Sequence, residues 1–155
     1  MHIGHQFNHH HAQADATGQV LPAMMYRKAA KQGDVRSQCK LGDCYYIGKG
    51  VVRDYSEAVK WYRKAAEQGD AYAQCSLGEC YYYGDGVAQD LGEAGKWYRK
   101  SAEQRYVGAQ FRLGDFHYLG NGAAQDLGQS LQWYRRAAEQ GYEMGLAQCG
   151  ALKSE

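Results

Sequence analysis

A tryptophan stands at positions 61, 97 and 133, one every 36 residues, and the sequence around each returns in the same register. Trp61-Tyr62-Arg63-Lys64-Ala65-Ala66-Glu67-Gln68-Gly69 comes back as Trp97-Tyr98-Arg99-Lys100-Ser101-Ala102-Glu103-Gln104-Arg105. It comes back again as Trp133-Tyr134-Arg135-Arg136-Ala137-Ala138-Glu139-Gln140-Gly141. Leu41-Gly42, Leu77-Gly78 and Leu113-Gly114 keep the period, as do Gly48/Gly50, Gly84/Gly86 and Gly120/Gly122, and Asp54, Asp90 and Asp126. Such a period marks a repeat architecture, in which one unit cannot bury its apolar face alone and stacked neighbours complete the core. The full units are 35–70, 71–106 and 107–142. Residues 22–34 read as the end of a preceding unit, with Met25 at the tryptophan position. Residues 143–155 read as the start of a following one, with Gly150 at the Leu-Gly glycine.

Each unit predicts two helices. Asp54-x-x-Glu57, Asp90-x-x-Glu93 and Asp126-x-x-Gln129 have the form of a capping box and start the second helix, which runs to Gln68, Gln104 and Gln140. Gly69 and Gly141 then stand where a left-handed C-terminal cap is wanted. In the first helix Ser37, Leu41, Tyr45 and Gly48 fall at three- or four-residue steps, one stripe of a helical face. The Gly-x-Gly that follows supplies the turn. Residues 19–155 are therefore expected to form one all-α domain.

Composition narrows the function. Lys plus Arg number 18 against 17 Asp plus Glu, a net charge of +1. That balance lacks the basic stripe of a nucleic-acid binder and any polybasic reason to sit on a membrane. No apolar run approaches the roughly 20 residues that span a bilayer. The five cysteines leave at least one thiol unpaired, and reduced thiols suit the cytosol. Residues 1–18 hold five of the six histidines and read as a tag and linker or a disordered segment, a metal-binding tail being the alternative. Cytoplasmic location is expected for the chain as given; a secreted or periplasmic form stays open if a leader was removed.

The repeated residues resemble the Sel-one-like repeat (SLR) family, relatives of the tetratricopeptide repeat. The match is densest at Ala71, Ala73, Gln74, Leu77, Gly78, Tyr81, Gly84, Gly86, Val87, Asp90, Ala94, Trp97, Tyr98 and Ala102. The resemblance implies an α-solenoid, antiparallel helix pairs stacked into a right-handed superhelix. The Leu-Gly glycines and paired alanines would let helices approach closely, and the tryptophans would be core filling, about 150–250 Å2 buried apiece.

Little in the sequence suggests chemistry. Cys39 and Cys44 share repeat positions with Cys75 and Cys80, and Phe111 and Phe116 replace them in the third unit. That substitution points to packing and free thiols. Equivalent positions in adjacent units should lie about 8–10 Å apart, beyond the ~7 Å disulfide limit, and no C-x2-C pair offers a zinc site. Ser37-Gln38-Cys39-Lys40 matches the S-x-x-K string of penicillin-recognising enzymes, and weak β-lactam-related activity is ascribed to cysteine-rich relatives of the family. Yet alanine replaces Ser37 in the other units, and no Ser-Asp-Asn or Lys-Thr-Gly partner occurs. His117 replaces Tyr45 and Tyr81, with no paired nucleophile or carboxylate in register. No cofactor motif is present, and no enzymatic activity is expected.

By analogy with tetratricopeptide relatives, the resemblance implies a concave groove lined by the first helices. Unit one contributes Arg36, Lys40, Asp43, Tyr46 and Ile47. Unit two contributes Tyr72, Ser76, Glu79, Tyr82 and Tyr83; unit three, Arg112, Asp115, Tyr118 and Leu119. Exposed tyrosine and arginine are residue types that dominate interfaces, and Tyr46, Tyr82 and Tyr118 form a ladder on this face. The expected function is a non-enzymatic adaptor of bacterial type that holds a protein or peptide, monomeric or weakly self-associating. The alternatives are a weak β-lactam-interacting hydrolase and a structural or oligomerising repeat fragment. Two misfits complete the reading. Arg105 occupies a helix-ending glycine position and should be strained, and Gly95 stands where Val59 and Leu131 fill the core, leaving a gap or drawing a neighbour closer.

Overall fold

The computed structural model of the chain describes residues 22–121 and 124–153; the histidine-rich segment 1–18 lies outside them. The described residues hold eight helices and no strand: α1 (Pro22–Lys31), α2 (Val35–Ile47), α3 (Tyr55–Glu67), α4 (Ala71–Tyr83), α5 (Leu91–Glu103), α6 (Val107–Leu119), α7 (Leu127–Glu139) and α8 (Glu143–Lys153). Each packs against the next in sequence, so the three units are the helix pairs α2–α3, α4–α5 and α6–α7 of an α-solenoid.

The helix ends obey the signals in the sequence, with one change. Asp54, Asp90 and Asp126 each accept the backbone N–H three residues on, but the reverse half of the capping box is absent. The N–H groups of Asp54, Asp90 and Asp126 go instead to the carbonyls of Tyr45, Tyr81 and His117, at 2.8, 3.0 and 2.9 Å. That bond ties the start of each second helix to the first helix of its own unit. Gly48, Gly84 and Gly120 end the first helices in the left-handed region, as Gly69 and Gly141 end the second.

Arg105 is left-handed too, at φ 68°, alone among the described non-glycine residues. The strain expected at that position is present, about 1–2 kcal/mol. The next residue adds to it. Asp34 and Asp70 cap α2 and α4 with their carboxylates, whereas Tyr106 heads α6 with no side-chain cap bond. A lost cap of this kind costs about 1 kcal/mol. Units two and three thus meet at the least regular joint of the solenoid.

Inside each unit the Leu-Gly glycine has one physical task. A Cβ at Gly42, Gly78 or Gly114 would stand 2.7, 2.8 or 2.5 Å from the ring of Tyr62, Tyr98 or Tyr134. The tyrosine after each tryptophan therefore packs its ring directly against bare backbone. Leu41, Leu77 and Leu113 fill the layer beside it, all essentially inaccessible. Trp61 and Trp133 are buried and Trp97 is half-buried, with Lys64, Lys100 and Arg136 over their ring faces at 5.1, 4.7 and 4.5 Å. These rings are scaffold.

Candidate functional site

A repeat is a site only where it departs from its own scaffold, so the hydrogen bonds that recur must be set aside first. Buried Gln38, Gln74 and Gln110 donate to the carbonyls of Ala30, Ala66 and Ala102, the last turn of the preceding helix. Each accepts in turn from Gln68, Gln104 or Gln140 of its own unit, at 2.8, 2.8 and 2.6 Å. Arg27 and Arg63 each reach forward to the Tyr45 and Tyr81 hydroxyls, both at 2.7 Å. Asp43 and Asp115 accept from Tyr62 and Tyr134 within their own units.

The tyrosine ladder partly belongs to this scaffold, which corrects the expectation of a row of exposed rings. Tyr46, Tyr82 and Tyr118 are all half-buried. The Tyr46 hydroxyl donates to Asp85 at 2.7 Å, and the Tyr82 hydroxyl accepts from Asn121 at 2.8 Å, each in the turn of the next unit. Burial, then the Asp85 bond, pushes the Tyr46 phenol well above its ordinary range. The aromatic surface left to solvent is Tyr72, 39% exposed, and Tyr83, 56% exposed, the latter with Leu119 near it; Ile47 is exposed as well.

Two depressions lie on the first-helix face of units two and three. One, of about 270 Å3, is lined by Tyr72, Ser76, Glu79 and Arg112 from the expected set. The other, of about 170 Å3, adds Tyr82, Tyr83, Asp115 and Leu119 and shares Arg112 with the first. Arg112 bridges the two units: its Nε donates to Glu79 at 2.5 Å, and Asp115 lies 4.0 Å from its other end. The unit-one residues Arg36 and Lys40 are exposed and line neither depression. Asp43 connects to them through Tyr72, whose hydroxyl it accepts at 2.7 Å.

Tyr106 and Tyr142 also line the larger depression and were not among the expected residues. Their signal was in the repeat: both stand at the position of the capping aspartates Asp34 and Asp70. Tyr106 meets Tyr72 edge to face, centroids 6.2 Å apart, and Tyr142 meets Phe111 at 5.1 Å.

The candidates for chemistry sit in structural roles. All five cysteines are buried free thiols. Cys39 donates to Asp70 at 3.3 Å, and burial, with Asp70 adding to it, pushes its thiol up to about 12. Burial moves Cys75 and Cys80 to about 12 as well, so these are thiols rather than nucleophilic thiolates at neutral pH. The Ser37 side chain and N–H hold the Asp34 carboxyl below its ordinary range, a helix-cap arrangement. Lys40 is exposed. Among the described residues no helix is long and apolar enough to cross a membrane.

His117 takes the place of tyrosine in the third interunit latch, with Arg99 3.4 Å from its Nε2. Burial first, then Arg99, lowers its pKa below 6.5, against an opposing pull from Asp126. The unfolded chain therefore binds the proton more readily, and stability contributed here is lost as pH falls from about 6.5 through the folded value. His117→Tyr should remove that acid-side loss; thermal melts of both proteins between pH 7.5 and 5 should diverge as pH falls.

Helix pairs in fixed register, latched unit to unit and carrying variable residues on one face, define a solenoid repeat scaffold. The Sel1 repeat pattern matches residues 23–34, 35–70, 71–106 and 107–142, and the chain belongs to that family. A uropathogenic Escherichia coli protective antigen displaying an SLR fold is 41% identical with a TM-score of 0.80, over 84% of this chain and 28% of its own. A Sel1 repeat protein from Oxalobacter formigenes is 37% identical with a TM-score of 0.79, over 83% of this chain and 53% of its own. An uncharacterised Sel1-like repeat-containing protein of Schizosaccharomyces pombe is 40% identical over 52 residues, 34% of this chain and 8% of that protein. The chain thus spans only part of these relatives. Helicobacter pylori cysteine rich protein B, 22% identical with a TM-score of 0.65, shares the fold. Repeats of this family generally form non-enzymatic scaffolds for protein–protein contact.

Proposed function

We propose that this chain is a non-enzymatic adaptor that holds a peptide or protein segment against the first-helix face of units two and three. One observation carries the reading: the two depressions meet at Arg112, a cross-unit residue on a face whose neighbouring positions vary between units. Variation at exposed aromatic and arginine positions on a constant frame is what a recognition surface requires. The hydrolase alternative gains no support from Ser37 or Lys40, one engaged with a helix cap and the other in solvent.

A random-peptide display library selected on the immobilised protein tests this. Enriched peptides should bind Tyr83→Ala/Arg112→Ala at least tenfold more weakly, with the variant's helical circular dichroism unchanged. Undiminished affinity would move the site elsewhere.

A further inference from the structure

We infer that the larger depression receives one basic side chain, arginine or lysine, from the bound segment; this rests on the reading above and specifies its anchor. A space of about 270 Å3 lies below the usual range for small-molecule pockets and suits a single side chain. Its walls are aromatic. Tyr72 and Tyr106 stand edge to face, Tyr142 packs on Phe111, and all four rings line the space. Gly108 makes room for this wall, since a Cβ there would lie 3.2 Å from the Tyr106 ring. Tyrosine faces carry the negative lobe of the ring quadrupole, which attracts guanidinium and ammonium groups.

The charges around the walls point the same way. Asp43 holds the Tyr72 hydroxyl, and Glu79 lines the space directly. The one basic lining residue, Arg112, is already bonded to Glu79 and lies beside Asp115. After burial and Cys75, the groups that lift the Tyr106 phenol are Asp43, Asp70 and Glu79, all acidic. Within the lining Glu79 and Arg112 pair with each other, and Asp43 and Asp70 behind it keep the surroundings of the Tyr106 hydroxyl negative. A cation set over an open tyrosine face meets attraction from that ring and from the carboxylates, whereas an acidic side chain meets repulsion. Tyr106 also gives up the helix cap that Asp34 and Asp70 supply, a local rule broken at the wall of the site.

Titration of the 15N-labelled chain with Ac-Gly-Ser-X-Ser-Gly-NH2, X being arginine, lysine, norleucine or glutamate, tests the assignment. The arginine and lysine peptides should produce saturable shifts at Tyr72, Glu79 and Tyr106 at millimolar concentration, weakened several-fold in 0.5 M salt. Norleucine should bind at least tenfold more weakly. Tyr106→Asn, which introduces a neutral capping side chain, should lose binding at least fivefold without a lower melting temperature. Glu79→Gln should weaken the arginine peptide. Norleucine or glutamate binding as well as arginine would overturn the cationic anchor and leave the groove reading standing. Silence from all four peptides would also overturn the anchor. The groove reading itself falls only if the library selection fails at this face.

Discussion

Gly95→Leu is expected to lower the melting temperature by on the order of 5–10 °C, the opposite of what an empty cavity would give. The position is short of a side chain where Val59 and Leu131 have one, but the space is taken. A Cβ on Gly95 would stand 2.9 Å from Cζ of Phe116 and 3.2 Å from its Cε1. Phe116 is itself a departure, replacing Cys44 and Cys80. The two departures are one exchange across the joint between units: the bulk missing from α5 is supplied by α6. Ala23 with Cys44 and Val59 with Cys80 share a core cluster in the regular units, and Leu131 and Leu152 share another. Leucine must displace a half-buried ring, and overpacking of this kind costs about 1–3 kcal/mol, or about 2–4 °C per kcal/mol in a domain of this size. Gly95→Ala should be nearly neutral, because better helix propensity offsets a small ring shift. Gly95→Val combined with Phe116→Cys rebuilds the Val59/Cys80 pair and should recover most of the loss. Differential scanning calorimetry of the wild type, Gly95→Val, Phe116→Cys and the double variant gives the coupling directly; a double variant no better than the sum of its singles would show the residues to be independent.

The elements were legible because their signals are local. The aspartate caps and glycine ends each depend on a few consecutive residues, and the 36-residue period returns them in register, which also exposes Arg105 as a misfit. The latches were not, since they join positions in different units and a repeat pattern does not say which positions face each other. Gln74 was visible as a repeated residue, yet its bond to the Ala66 carbonyl depends on how α4 meets α3. The same gap hid the structural half of the tyrosine ladder's role. Analogy with tetratricopeptide relatives put Tyr46 and Tyr82 on the first-helix face but could not show their hydroxyls reaching the turns of the next unit. Tyr106 and Tyr142 erred in the other direction: they sit at the cap position, outside the stripe that analogy supplied, although their replacement of aspartate was in plain view. Within this repeat, departures compared across a joint were more informative than the conserved frame. Gly95 paired with Phe116 explains packing, and Arg105, Tyr106 and His117 together explain why the second joint differs.

Gln74→Glu should produce a protein whose stability depends on pH in a way the wild type does not. Gln74 is 5% exposed, donates to Ala66 O at 3.2 Å and accepts from Gln104 Nε2 at 2.8 Å. A protonated carboxyl can make both bonds, donating through its hydroxyl and accepting through its carbonyl. An ionised one loses the donor, sets negative charge against the Ala66 carbonyl and is desolvated. Burial therefore raises its folded pKa above the unfolded value near 4.3. Between the two values the folded chain holds the extra proton, so stability falls as pH rises and is fullest below about pH 4. Each pH unit by which the folded value is raised is worth about 1.4 kcal/mol, and a rise of about two to three predicts a deficit of about 2.5–3.5 kcal/mol at pH 7. Urea unfolding of variant and wild type at pH 4 and pH 7 isolates this from the other titrating groups, because only the difference between the proteins is read. Gln74→Leu, with both bonds gone at every pH, should show a loss of about 2 kcal/mol without the slope. A flat difference for the glutamate variant would mean that water reaches the introduced carboxylate and the glutamine relay is not sealed. A steep one would make the buried relay, more than the tryptophans that announce the period, the feature fixing how each unit sits on the last, and with it the spacing of Tyr72, Glu79 and Arg112 across the proposed site.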